Sequence, residues 1–118
     1  MSTFTRENTG VAISIDGVGE QHRAEAGGMV IALEHWGAGL DTTPMFAGLP
    51  GGACQEPHFG YVVQGAATVS YNDGGTDRLV AGQAYYLRPG HNVRIDETAE
   101  FVEFTPADGA PGVNTLEA

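Results

Sequence analysis

The chain has few basic residues, one cysteine and no long apolar run, and each shortage excludes a class of protein. Five Lys+Arg stand against fifteen Asp+Glu, for a net charge of −10, so binding to nucleic acid or to an anionic membrane surface is not expected. One cysteine, Cys54, cannot form a disulfide within the chain. No apolar run approaches the roughly 18 residues of a membrane span, and the polar start does not resemble a signal peptide. We therefore expect a soluble, cytoplasmic protein.

The composition favours many short strands in one domain. The 118 residues are enough for a single domain that buries its own core. We expect this domain to cover residues 1–105 and a flexible tail to follow at 106–118, where there is little to pack. Eighteen glycines and six prolines indicate frequent turns, and no segment keeps the helical period of 3.6 residues. About eight strands spaced roughly 8–12 residues apart predict an all-β, antiparallel sandwich or barrel.

The strongest predicted strand, 60–71, leads through the turn Asn72-Asp-Gly-Gly75 into a second strand at 77–81. The other predicted strands are 11–15, 29–36, 84–87, 92–95 and 100–104. The segment 41–52 carries two prolines and three glycines and is predicted to be an irregular loop. Its apolar residues could cover a pocket or pack on a partner subunit.

Two segments contain the residue types that bind divalent metals. The first places Cys54, Glu56 and His58 within five residues, directly before a β-branched run, and the second places His91 behind a Pro-Gly turn. Thiolate, carboxylate and imidazole groups gathered from two strands can form a metal site. Because Cys54 and His58 are four residues apart, a site that contains both requires a bend, which Pro57 favours.

Each of these residues also has an ordinary structural explanation. Cys54 could be a small buried apolar residue, His58 a hydrogen-bonded core histidine, and His91 a turn residue bonded to its own backbone. Their occurrence together in the two segments favours a metal site. His22, in a polar run, is expected to be exposed, and His35 is expected to pack structurally.

The same segments resemble a known family. The sequence Tyr-Val-Val-Gln-Gly65, the Asp-Gly-Gly turn, Gly82 at the start of a strand and the turn Pro-Gly90 look like a single-domain cupin over residues 33–104. This resemblance implies an antiparallel jelly-roll β-barrel, also described as a double-stranded β-helix. The chain is more narrowly similar to small actinobacterial-type cupins with Cys-Gln-x-Pro-His-x-Gly-Tyr-Val and Pro-Gly-His motifs, and that similarity implies no particular reaction.

The chain departs from the metal-binding pattern that is usual in cupins. His58 stands where the family usually has a glutamate, Cys54 where it has its second histidine, and Gly52 where it has its first. His91 precedes the usual position of the last histidine, here Val93, by two residues. The usual ligand set therefore does not transfer intact. In the narrower group a second cysteine often stands at the place of Glu56, so the site that this similarity implies has two cysteines and two histidines, with one thiolate replaced here by a carboxylate.

The predicted cofactor is a divalent metal ion bound by Cys54, His58 and His91. A thiolate with two imidazoles favours Zn²⁺, and Ni²⁺, Co²⁺, Cu²⁺ or Fe²⁺ could also fill the site. Glu56 and Glu103 are the predicted catalytic residues because each could move a proton. Glu56 could instead be a fourth ligand, which would close the site. We expect a metal-dependent enzyme of isomerase, lyase or hydrolase type that acts on a small molecule.

Two other functions fit the same sequence. One is a non-enzymatic module that holds a metal or small ligand for structure, sensing or sequestration. The other is a vestigial metal site in a barrel whose apolar cavity alone binds a ligand. The resemblance also implies a homodimer, paired through sheet faces or through exchanged N-terminal strands such as 11–15.

Overall fold

The computed structural model describes residues 2–107, which form an antiparallel β-structure of seven strands. These strands are β1 (Gly10–Ile15), β2 (Gly19–Ala26), β3 (Met29–Trp36), β4 (His58–Tyr71), β5 (Thr76–Val80), β6 (Ala84–Leu87) and β7 (His91–Pro106). They pair in the order β1-β2-β3-β7-β4-β5, and β6 pairs with β4. A single 3-10 turn, Pro50–Gly52, is found within this range, and no helix there is long and apolar enough to cross a membrane. The all-β prediction is confirmed.

The two longest strands, β4 and β7, form the centre of the fold. They pair antiparallel from Phe59 opposite Phe104 to Tyr71 opposite His91. The register shifts at three points between Val62 and Ala67, and such a bulge bends a strand and increases its twist. The bend allows the first part of β4 to pair with β6 and the second part with β5. The strands therefore curve around an interior rather than forming a flat sheet.

The side chains that point into this interior form one apolar core. Its members come from β3 to β7, and burial of each large aliphatic side chain contributes about 1.5–3 kcal/mol. The buried cluster contains Trp36, Val62, Ala67, Val69, Tyr71, Leu79, Leu87, Ile95, Ala99 and Phe101.

Two elements differ from the sequence prediction. No strand is predicted at 19–26 because the sequence there is polar, yet β2 pairs with β3 along its whole length. The strands predicted at 92–95 and 100–104 are parts of one strand, β7, which pairs with β4 and with β3. Seven strands rather than eight are therefore present between residues 2 and 107.

The domain boundary predicted between residues 105 and 106 falls inside a strand. β7 continues to Pro106, and the N–H of Ala107 donates to the carbonyl oxygen of Gly28 at 2.9 Å. Pro106, in the predicted tail, is therefore part of the sheet, and Ala107 is hydrogen-bonded to the turn between β2 and β3. The remainder of that prediction, 108–118, lies outside the described residues.

Candidate metal centre

A cavity of about 110 Å³ opens between the strands, and every strand contributes to its lining. An engineered cavity of about 150 Å³ holds benzene, so this cavity has room for a ligand of roughly six non-hydrogen atoms or fewer. Most of its wall is apolar. Its acidic, thiol and imidazole side chains are Glu34, Cys54, Glu56, His58, His91 and Glu103.

Cys54, His58 and His91 lie together in one wall of the cavity. All three are buried, and one ligand atom from each lies within 4.8 Å of the other two. The Sγ atom of Cys54 is 3.6 Å from Nε2 of His58, and the two imidazole rings meet edge to face with their centroids 5.1 Å apart. Ligand atoms of tetrahedral Zn²⁺ are separated by about 3.3–3.8 Å. A contraction of about 1 Å would therefore bring the trio to that geometry.

Cys54 lies in the loop between β3 and β4, and backbone pairing of this loop with β7 brings the cysteine close to the two histidines. The N–H of Cys54 donates to the carbonyl oxygen of His91 at 2.9 Å, and the N–H of His91 donates back at 3.2 Å. His58 begins β4 four residues later and faces inward. The bend predicted between Cys54 and His58 is present, because Cys54 pairs with β7 while His58 pairs with Leu87 of β6.

Hydrogen bonds on the far side of each ring orient the two histidines. Nδ1 of His91 donates to the carbonyl oxygen of Arg88 at 2.8 Å, which leaves the lone pair on Nε2. Nδ1 of His58 lies 2.7 Å from the hydroxyl oxygen of Thr105, while its Nε2 lies beside the thiol. Metal-binding histidines are held by outer partners of this kind. The backbone bond of His91, which would also suit a purely structural residue, is thus compatible with a ligand.

Burial sets the protonation of the trio. It lowers the pKa of His58 and, with the nearby His58, lowers the pKa of His91 to about 4. It raises the pKa of the Cys54 thiol to about 12. At neutral pH both imidazoles are therefore neutral and able to bind a metal. The thiol still carries its proton, which a bound metal would displace.

Replacement of Thr105 by valine is expected to weaken metal binding by about 10- to 100-fold, the usual effect of losing an outer partner of a ligand. Valine keeps the shape but cannot pair with Nδ1 of His58. Competition with a chromophoric chelator would measure the affinity. Thr68→Val is the matched control, since it removes a bond to Asp96 on another part of the fold. Equal affinities in both variants would contradict the orienting role of Thr105.

The predicted catalytic residues Glu56 and Glu103 both line the cavity. Glu56 is 6% exposed and lies outside the trio whose ligand atoms cluster, and its role as base or ligand stays a prediction. A third acid, Glu34, also lines the cavity and was not predicted. Alternation along β3 places it on the same face as Trp36, but does not say which face points inward. Apolar residues at both faces of that strand hid this signal.

The other two histidines lie away from the cavity lining. His22 is 7% exposed, so the expectation that it is exposed is wrong. β1 and the preceding segment cover it: Val11 lies opposite His22, and Nδ1 lies 3.3 Å from the carbonyl oxygen of Thr9. Its Nε2 lies 2.9 Å from the carboxylate of Glu20 on the same strand. His35 is half-exposed and lies 3.3 Å from Glu100, consistent with structural packing.

The loop between β3 and β4 contributes to the cavity wall. Met45 and Phe46 both line the cavity, and Phe46 is buried whereas Met45 is half-exposed. This placement agrees with the predicted covering role of the loop. Among the tyrosines, Tyr85 lines the cavity, and Tyr61 and Tyr86 are exposed.

No family model and no curated protein sequence matches this chain. Its fold is similar to that of solved oxalate decarboxylases. The Bacillus subtilis enzyme at pH 4.6 superposes with a TM-score of 0.65 and 16% identity, over 87% of this chain and 28% of that one. A second oxalate decarboxylase, from work on its substrate binding mode and reaction specificity switch, gives a TM-score of 0.67 and 16% identity over 95% and 30%. The chain thus spans less than a third of the length of each of these two structures. Oxalate decarboxylases are cupins, and this chain has the antiparallel cupin fold that the sequence resemblance implies.

Proposed function

We propose that this protein binds a divalent metal through Cys54, His58 and His91 and acts on a small molecule in the adjoining cavity. The observation that carries this proposal is the convergence of three buried ligand atoms within 4.8 Å in the wall of a cavity large enough for a small ligand. Three protein ligands leave a coordination position for substrate or water, as in catalytic zinc sites. Such an open position supports our proposal of an enzyme of isomerase, lyase or hydrolase type.

Zinc is the metal that suits these ligands best. One thiolate and two imidazoles match its preference, although Ni²⁺, Co²⁺, Cu²⁺ and Fe²⁺ can bind similar groups. When bound, the metal would supply a Lewis acid in this wall of the cavity. The protein's own part is to hold the rings of His58 and His91 through Thr105 and the Arg88 carbonyl group.

A non-enzymatic metal-binding or sensing module is the second candidate. The charge of Glu56 acts on both Cys54 and His58, which favours this candidate, because a fourth protein ligand would close the site. X-ray absorption of the metal-loaded protein, compared with Glu56→Gln, would separate the two. If the atoms bound to the metal are the same in the variant as in the wild type, the result supports an open catalytic position. Loss of one oxygen ligand would identify Glu56 as a fourth ligand and the site as closed.

Homodimerisation and a cytoplasmic location stay predictions. An apolar patch on the outer faces of β4, β6 and β7 favours a dimer formed through sheet faces, since exposed patches of this type mark interaction surfaces. Its exposed members are Phe59, Tyr61, Val63, Tyr86 and Phe104.

Elemental analysis of protein purified without an affinity tag is the direct test of the proposal. We expect about one metal ion per chain after purification, or after reconstitution with Zn²⁺, Ni²⁺, Co²⁺, Cu²⁺ or Fe²⁺. Failure to retain any of these ions would refute the metal site. The remaining function would then be binding of a ligand in the apolar cavity alone.

Metal binding is also expected to release one proton per ion between pH 7 and pH 9. The pKa of Cys54 is raised to about 12 by burial, so the thiol is protonated throughout this range. The histidines are already neutral because burial lowers their pKa. The apparent association constant should therefore increase about tenfold per pH unit. Calorimetric titrations in buffers of different ionisation enthalpy would measure the released proton, and a constant affinity across the range would contradict thiolate binding.

A further inference from the structure

Two carboxyl groups inside the cavity are hydrogen-bonded to each other. Glu34 lies on β3 and Glu103 on the adjacent β7, and their side chains share a hydrogen bond. Such a bond requires a proton on one of the two groups. Glu34 also accepts hydrogen bonds from Nε1 of Trp36 at 2.7 Å and from Nε2 of Gln21 at 3.1 Å. The Tyr85 hydroxyl donates to Oε1 of Glu103 at 2.7 Å.

The space for this arrangement depends on a glycine. Tyr85 on β6 lies directly opposite Gly60 on β4, and a Cβ at Gly60 would lie 2.5 Å from Cζ of Tyr85 and 2.6 Å from its hydroxyl oxygen. The absence of a side chain at Gly60 thus lets the Tyr85 ring cross the strand and reach Glu103.

Burial favours the proton of the pair on Glu34 at neutral pH. Burial, with the nearby charge of Glu103, raises the pKa of Glu34 to about 8. Burial also raises the pKa of Glu103, but hydrogen bonds from Glu34 and Tyr85 oppose this and stabilise its carboxylate. These directions favour Glu34 as the acid and Glu103 as the base of the pair.

The pair faces the candidate metal centre. Glu103 and Thr105 lie two residues apart on the inner face of β7, about 7 Å from each other along the strand, and Thr105 contacts His58. The charges of Glu34 and Glu103 both act on Cys54. Both groups line the same cavity, so a ligand of roughly six non-hydrogen atoms would have access to the carboxyl pair and to the trio of metal ligands.

The electrostatics of the cavity favour an uncharged ligand. Three carboxyl groups line it, and Arg23 is the cation among the described residues of the lining. An anionic ligand would be repelled by the negative charge of this acidic wall, whereas hydroxyl and carbonyl groups can pair with its donors and acceptors. The titratable groups that face the pair from the surrounding elements are Arg23, Cys54, Glu56, His58 and Tyr85.

We propose that Glu34 and Glu103 are the acid and base of this cavity, and that its substrate is a small uncharged hydroxy-carbonyl compound in which they move a proton between adjacent carbons. This inference rests on the proposed function and names its reaction as an isomerisation. It assigns a catalytic task to Glu34 as well as to Glu103.

The two residues can perform this step without a change in their total charge. The Glu103 carboxylate takes the proton from the hydroxyl-bearing carbon beside the carbonyl group, and the electron pair of that C–H bond forms the C=C bond of an enediol. The carbonyl π pair takes the proton of Glu34. Glu103 then returns its proton to the former carbonyl carbon, and Glu34 recovers one from the other hydroxyl group. Since the pair carries one negative charge throughout, no additional charge is buried.

Deuterium exchange in D₂O tests this proposal. The probes are glyceraldehyde, dihydroxyacetone and hydroxyacetone, each of which has six non-hydrogen atoms or fewer. Proton NMR would follow loss of the carbon-bound hydrogen and the interconversion of the first two compounds. We expect exchange catalysed by the metal-loaded wild type. Glu34→Gln and Glu103→Gln should each slow it by about 100-fold or more, with the metal content of both variants unchanged.

Glu100→Gln is the matched control, because Glu100 is also on β7 but pairs with His35 outside the cavity. Wild-type exchange that neither cavity variant slows, or no exchange with any probe, would overturn the inference. Metal analysis of the same samples distinguishes failure of this inference from failure of the proposed metal site. A wild type without metal refutes the metal site, and the same comparison of variants in the metal-free protein still decides the role of the pair.

A second test of the carboxyl pair does not require catalytic activity. Carbon-13 NMR of the glutamate carboxyl groups in metal-free protein should show one group titrating near pH 8, absent in Glu34→Gln and shifted to lower pH in Glu103→Gln. Because the pKa of Glu34 is raised on folding, its contribution to wild-type stability is lost as pH rises from about 4.5 through about 8. The stability of Glu34→Gln relative to wild type should increase over that range. A carboxyl titration that is the same in all three proteins would overturn the proton-sharing pair.

Discussion

Replacing His58 by alanine is expected to reduce metal affinity by more than about 100-fold, a larger loss than removal of an outer partner causes. His58 connects the site: its Nε2 lies 3.6 Å from the Cys54 thiol, and its Nδ1 pairs with Thr105. Without this ring, one thiolate and one imidazole remain. Cys54→Ala should have a similar effect, because it removes the one anionic ligand of the trio. Metal per chain by elemental analysis and chelator competition would measure both variants.

His35→Ala is the matched control for this experiment. It removes an imidazole that is half-exposed and paired with Glu100 on the outer face of β3. Its metal content should equal that of the wild type. Thermal unfolding of all the variants would show whether each is folded. Folded His58→Ala protein that binds metal as tightly as wild type would contradict the site.

Replacing Gly65 by alanine is expected to destabilise the fold by about 3 kcal/mol or more. Gly65 has φ +84°, and a Cβ there would lie 2.2 Å from the carbonyl oxygen of Thr98 and 2.7 Å from Cα of Ala99. Both neighbours are backbone atoms of β7, which cannot move without disrupting its pairing with β4. The positive φ alone costs about 1 kcal/mol or more, and the clash adds to it. Urea unfolding followed by circular dichroism would measure the loss.

Gly82→Ala separates the two contributions. Gly82 has a similar φ of +90°, but nothing lies within 4 Å of its Cβ position. This variant therefore carries the backbone strain without the clash and should lose only about 1 kcal/mol. Equal losses in the two variants would show that β7 adapts to a side chain at Gly65. The larger loss at Gly65 would give the physical reason for a glycine at this position of the cupin-like motif.

The strands that the sequence predicted best are those with apolar alternation bounded by turns, such as the hairpin formed by β4 and β5. β2 was missed because its sequence is polar. It is a strand because β3 supplies a complete row of backbone partners, a contribution that no local pattern contains. Register in such a strand is decided by its neighbours.

In the candidate site, too, some features were visible in the sequence and others depend on the tertiary structure. The proximity of Cys54 to His58 in sequence, and the turn before His91, were visible in the chain. Their convergence depends on the backbone pairing of Cys54 with His91. Glu34 could not be selected from its segment, because apolar residues occupy both faces of β3 and alternation does not distinguish inside from outside there.

By itself, the sequence determined the fold class and the residue types available for chemistry, because turn residues and strand periodicity act locally. Only the tertiary structure decided that three ligands converge and that Glu34 pairs with Glu103. Both arrangements depend on the register of β7 against its neighbouring strands and loop. Register fixes which residues distant in sequence share the inner face, and a shift of one residue would turn Glu103 to the outside.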